Sequence, residues 1–158
     1  RVFPYHSPLV DKVEVVRGEA TLAMDSPELI HAGSDGMIVT VGNKVASCEA
    51  ALKLLADAGL SFGLINIRKL KPLPDAELLA MLDGVAKVVT VEEGVLEGGF
   101  GSAVSSLLHR QGVKAGLLQV GLPCAFIEAG SNDELSAKYG LDPAGIAKQV
   151  LARWGAKS

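Results

Sequence analysis

Hydrophobic residues along this chain form short unbroken runs, separated by stretches in which they recur every third or fourth position. The runs are 37–41 (MIVTV), 62–67 (FGLINI), 87–91 (KVVTV) and 116–120 (GLLQV). Runs of this length, rich in aliphatic and β-branched residues, predict strands buried on both faces. Between them the period changes to that of a helix. After the first run, Val45, Cys48, Leu52 and Leu55 fall on one side of a predicted helix over 44–58, with Asn43 as N-cap and Gly59 as stop. Pro74-Asp75 opens a short helix to Leu82, and further helices are predicted over 102–111 and 133–139. Asp142 is the expected N-cap of a last helix with Pro143 in its first position, ending near Trp154.

Strands alternating with helices over short loops predict an α/β fold. The expectation is a three-layer α/β/α domain on a mostly parallel, roughly five-stranded sheet. Residues 1–33 carry no such rhythm. Pro4, Pro8 and Pro27 interrupt them, and only 12–16 suggests a strand. They read as a linker or the end of a preceding domain, and residues 34–158 as the domain proper. The chain opens without methionine, so a fragment or processed piece is expected.

One segment departs from the plain alternation. Residues 88–104 read VVTVEEGVLEGGFGSAV: a strand, two carboxylates in an acidic turn, a glycine loop and a helix start. Glycine permits positive φ and close backbone approach, and a helix start offers free N–H groups. Two readings follow, a small anion site or a tight contact with another domain. The loop lacks the G-x-G-x-x-G spacing and follows the third strand rather than the first, which disfavours a dinucleotide and favours an interface. Glu92 and Glu93 are neighbours on a strand end, so their side chains point opposite ways. A structural role, one carboxylate accepting from loop N–H groups, is expected over joint acid–base catalysis. Glu92, Glu93, Gly98, Gly99, Phe100 and Gly101 are therefore the candidate interface residues.

Composition narrows the partners. The chain of 158 residues has a net charge of −3, with 49% hydrophobic and 4% aromatic residues. That composition suits one domain with an aliphatic core and offers no basic patch for nucleic acid or an anionic membrane. No run approaches the roughly 20 apolar residues of a membrane span. The opening RVFPYHSPL has no charged region followed by an apolar one, so no secretory signal is expected in it. Cys48 and Cys124 share no metal spacing and are expected to be reduced core thiols of an intracellular, cytoplasmic protein.

The remaining chemistry is sparse. Arg68, Lys69 and Lys71 cluster after the second strand, as a solvated loop or as a contact for a phosphorylated substrate or an acidic neighbouring domain. Gly33-Ser34-Asp35-Gly36 precedes its strand, so Asp35 reads as a turn residue and not as a magnesium ligand. His6, His31 and His109 have no partner at a catalytic or metal-binding spacing, so no catalytic residue and no metal site is assigned. Tyr139 and Trp154 read as core or interface anchors.

Four ordered phrases carry a family resemblance. Residues 66–73 (NIRKLKPL), 90–103 (TVEEGVLEGGFGSA), 121–130 (GLPCAFIEAG) and 139–146 (YGLDPAGI) resemble the closing segments of transketolase-like enzymes. The wording resembles most closely the C-terminal domain of the 1-deoxy-D-xylulose-5-phosphate synthase family. Transketolase itself, a 2-oxo acid dehydrogenase β subunit, and a non-enzymatic interaction module that kept the fold remain alternatives. The resemblance implies a thiamine-diphosphate-dependent transferase that condenses pyruvate with glyceraldehyde 3-phosphate for isoprenoid precursor synthesis. It implies that thiamine diphosphate and magnesium sit in the preceding domains, so that this chain alone binds no cofactor and is catalytically silent. It implies a structural, dimer-forming role, with the catalytic domains of the same chain or a separate subunit as partner, and a homodimer overall. Three departures stand out: Cys124 replaces the family aspartate, Pro74 is inserted before Asp75, and 1–5 lacks the second arginine of the family's phosphate-binding R-x-P-R.

Overall fold

The computed structural model describes residues 26–155, and the strand suggested over 12–16 lies outside them. The elements run β1 (Glu28–His31), β2 (Gly36–Val41), α1 (Lys44–Asp57), β3 (Phe62–Ile67), α2 (Asp75–Met81), β4 (Lys87–Val95), α3 (Phe100–Arg110), β5 (Gly116–Leu122), α4 (Asn132–Lys138) and α5 (Pro143–Trp154). They form one five-stranded sheet in the order β1-β3-β2-β4-β5. The pairs β3–β2, β2–β4 and β4–β5 are parallel, and β1 joins β3 antiparallel at the edge.

Because side chains alternate across a strand, the unbroken apolar runs feed two cores. On one face, Ile38, Leu64, Val89 and Val91 pack with Cys48 and Leu55 of α1 and Ile146 and Val150 of α5. On the other, Val39, Ile65, Ile67 and Val88 pack with Leu78 of α2 and Val104 and Leu107 of α3. Trp154 and Tyr139 close the first core at its rim, with the Trp154 ring tilted by 32° against Phe62 at 6.0 Å between centroids. The expected three-layer, mostly parallel sheet is the one observed.

Four local expectations change. A strand stands at 28–31, inside the stretch expected to be irregular; it is short and pairs on one side only. Asn43 precedes α1 in helical conformation and makes no cap with its side chain. β4 runs on to Val95, so Glu92 and Glu93 lie within an irregular strand end instead of a turn. Cys48 is buried as expected, but Cys124 is exposed on the loop after β5 and belongs to no core. The last two helices behave as read. Ser131 and Glu134 form a reciprocal capping box on α4, and Asp142 accepts from the Gly145 N–H on α5.

Candidate functional site

In a parallel sheet, the loops after the strands and the helix starts that follow them gather at one edge, the carboxyl edge. Here that edge holds the ends of β2, β3 and β4, the start of α3 and a cleft of about 420 Å³ between them. The cleft is lined by Asn43, Leu70, Lys71, Glu93, Gly98 and Phe100, together with the buried Glu92. Chain order alone placed these residues over a span of nearly sixty positions; the sheet brings them together.

Glu92 is buried, and its carboxylate closes the helix start behind the glycine loop. Its Oε2 accepts from the Phe100 N–H at 2.7 Å, and its Oε1 from the Gly101 N–H at 2.8 Å. Two backbone donors that would otherwise be orphaned at the N-terminus of α3 are thereby satisfied by a charge of the favourable sign. The loop is fitted to that carboxylate. A Cβ on Gly99 would lie 2.2 Å from the Val95 carbonyl and 2.5 Å from Glu92 Oε2, and one on Gly101 would lie 2.6 Å from Thr90 Oγ1. The close approach that requires glycine at 99 and 101 is therefore within the chain. Gly98 is exposed and requires glycine for its φ of +75°.

Glu93 points to the opposite face, as neighbours on a strand must. Its Oε2 accepts from Asn43 Nδ2 at 2.6 Å, and its Oε1 pairs with Lys44 Nζ at 2.9 Å. Lys44 is 5% exposed and also donates to Ser136 Oγ at 3.0 Å. Asn43 is itself helical, at φ −69° and ψ −12°, not in the extended conformation that lets a side-chain oxygen reach back to the helix N–H groups, and its amide nitrogen is turned to Glu93. The result is a clamp joining the start of α1, the end of β4 and the middle of α4.

The basic cluster does not stay together. Arg68 is mostly buried and paired with Glu28 of β1, so it ties the edge strand to β3. Lys71 lines the same cleft as the glycine loop. Asp35 is a turn residue, accepting the Ser61 N–H at 2.7 Å at the other edge of the sheet. His31 faces Glu49 at the surface, and His109 lies exposed near the end of α3. No group of three or more His, Cys, Asp or Glu able to hold a metal exists among the described residues. None of their helices is long and apolar enough to cross a membrane. Cys48, beside Thr40 and Lys44, has its thiol pushed up to about 12 by burial, so it stays protonated and unreactive at neutral pH.

Sequence reasoning missed Lys44. A lone lysine at a helix start carries no signal; its burial follows only from the meeting of α1, β4 and α4.

Comparison with known proteins agrees with this architecture. The family described as "Transketolase, C-terminal domain" matches residues 27–146. A 1-deoxy-D-xylulose-5-phosphate synthase of Syntrophotalea carbinolica is 43% identical over 123 residues, covering 78% of this chain and 19% of that protein. The synthase of Synechococcus sp. (strain CC9605) is 38% identical over 137 residues, covering 87% of this chain and 21% of its own length. The chain thus spans about one-fifth of these relatives. Among solved structures, one described as "Split gene transketolase, inactive beta4 tetramer" superposes with a TM-score of 0.75 at 27% identity, covering 83% of this chain and 43% of that one. A Pichia stipitis transketolase, at 20% identity and a TM-score of 0.62, shares the fold. The match extends from β1 into α5, takes in the glycine loop and both glutamates, and rests on the same sheet: this chain belongs to the family of transketolase C-terminal domains.

Proposed function

We propose that this chain is the C-terminal domain of a 1-deoxy-D-xylulose-5-phosphate synthase, a thiamine-diphosphate-dependent transferase that joins pyruvate to glyceraldehyde 3-phosphate. The observation that carries the reading is the 34–43% identity to several synthases over most of this chain. The domain's part is structural. It packs on the catalytic domains and extends a homodimer, with Glu93, Lys71 and the loop 98–101 at the contact, Glu92 holding that loop in shape, and Arg68 fixing the edge strand beside it.

The cleft's donor set supports that division of labour. A diphosphate needs free N–H groups or several cations. At α3 the two N–H donors already bind Glu92, so an incoming phosphate would face a carboxylate. Glu93, which could ligate magnesium, is already held by Lys44 and Asn43. The cleft therefore does not suit thiamine diphosphate or its magnesium, in keeping with a chain that supplies no group to the reaction. Both cysteines are free, in keeping with a reducing, cytoplasmic compartment. The neighbour described as a split-gene transketolase makes a separate catalytic subunit an equal partner to a preceding domain of the same chain.

The test is an assay of the full-length product of the gene, or of this chain with its separate subunit, for pyruvate-dependent formation of 1-deoxy-D-xylulose 5-phosphate. Product that requires added thiamine diphosphate and magnesium supports the reading. Transfer from ketose phosphates instead would assign a transketolase, and turnover of a 2-oxo acid on a lipoyl carrier a dehydrogenase subunit. Absence of all three activities leaves the non-enzymatic module.

A further inference from the structure

Large apolar side chains left in solvent are concentrated on one side of this domain. Of the five among the described residues, Val95 ends β4, and Leu70 and Phe126 follow the carboxyl ends of β3 and β5. Phe126 is 97% exposed. It is not on a fraying segment. Its turn is closed by the Ala125 N–H bonding to the Pro123 carbonyl at 2.8 Å. The neighbouring Ile127 is half-buried beside Leu135 and Leu141, and Glu128 is paired with Lys138 of α4. An ordered turn that presents a whole phenyl ring to water forgoes burial that a partner can supply. Val95 pairs with Leu122 at the root of the same turn, and Leu70 lines the cleft beside the glycine loop, so all three lie at the edge that holds the candidate site.

The path of the chain indicates what covers it. β1 runs antiparallel to β3, with Glu28 opposite Asn66. The segment entering β1 therefore arrives at the carboxyl edge, the edge that carries the patch. The synthases that resemble this chain are about five times its matched length, and the family resemblance places their catalytic domains before this one. We propose that the Phe126 turn, with Val95 and Leu70, is the seat of the catalytic region preceding this domain, the phenyl ring entering an apolar pocket on it. The proposal rests on the function proposed above and adds the surface and its occupant.

Cys124, exposed in the same turn, reports on the contact, while buried Cys48 is a silent internal control. The experiment follows modification of Cys124 by an aromatic disulfide reagent, read by peptide mass spectrometry, in the full-length enzyme or its two-subunit complex. Native and urea-unfolded protein are compared, and the measurement is repeated across dilution. The expected result is protection of Cys124 by at least tenfold that persists in monomers and is lost in Phe126→Ala. Reaction as fast as in the unfolded protein overturns the proposal: the face is free. Protection that disappears as dimers dissociate overturns it in favour of a second copy. Equal protection in the 158-residue chain alone overturns it in favour of residues 1–25. Cys124 protection is read without activity, so a protein that docks but does not form the synthase product refutes the function and leaves the surface standing.

Discussion

The two edges of the sheet solve the same problem by different means. At the amino edge, helices turn back into strands through Gly59, Gly84 and Gly112, all with positive φ. The turn at Asp35 there is closed by bonds to Ser61, from the Asp35 N–H at 2.8 Å and to its carboxylate at 2.7 Å. Gly33 lies so close to Gly63 that a Cβ would come within 2.0 Å of its backbone nitrogen. These devices are short and made largely by backbone. At the carboxyl edge the same kind of loops depend on Glu92 and on the pair Lys44–Glu93, and they leave Phe126 in water. One edge is complete by itself; the other carries charge inward and apolar surface outward. Open α/β sheets in general place their contacts at the carboxyl ends of strands, and the asymmetry is in keeping with the interface proposed at that edge.

The comparison sharpens if the carboxyl edge is broken first. Glu92→Ala leaves two buried N–H groups without an acceptor and should cost about 3 kcal/mol in urea unfolding, against about 1 kcal/mol for Asp35→Ala at the amino edge. Equal losses would mean that Glu92 is an ordinary turn residue. Lys44→Met is expected to cost about 2 kcal/mol, because Glu93 keeps its charge and loses its partner, yet is exposed enough for water to compensate part of it. A double-mutant cycle with Glu93→Gln measures the coupling; a value near zero breaks the clamp as a unit.

Alkaline pH offers a gentler probe. The Cys48 thiol sits at about 12 in the folded chain against an ordinary 9.0. Above pH 9 the unfolded thiol loses its proton while the folded one keeps it, so stability falls as pH climbs from 9 toward 12. Cys48→Ala should flatten that slope in thermal melts run over this range, even though it lowers stability at pH 7. The smallest effect belongs to the exposed pair of His31 and Glu49 at the amino edge. His31→Ala should shift stability by no more than about 0.5 kcal/mol, and a larger loss would give that edge a buried contact it does not show.

The strands and helices were legible because their apolar periods differ, and the caps at Asp142 and Gly59 follow from side-chain chemistry within a few residues. The opposed directions of Glu92 and Glu93, and the role of one of them as acceptor for loop N–H groups, were legible for the same reason. The expectation failed where a distant element intervenes. Asn43 has the chemistry of a cap, but its backbone is already helical and its side chain is turned to Glu93, fifty positions away. Cysteine chemistry alone predicts Cys124 in the core, whereas the loop after β5 carries it outside. The short strand at 28–31 has too few alternating residues to announce itself, and it exists because β3 has a free edge.

The amino-acid sequence by itself therefore determined the order of the elements from β2 to α5, the mostly parallel sheet and the family phrases, since each depends on periods and spacings of a few residues. Only the tertiary structure decided which face each carboxylate serves, that Arg68 and Lys71 part company, and that a buried lysine and an exposed phenylalanine mark the same edge. Those outcomes depend on which strand ends become neighbours, and that is set by the packing of the whole sheet.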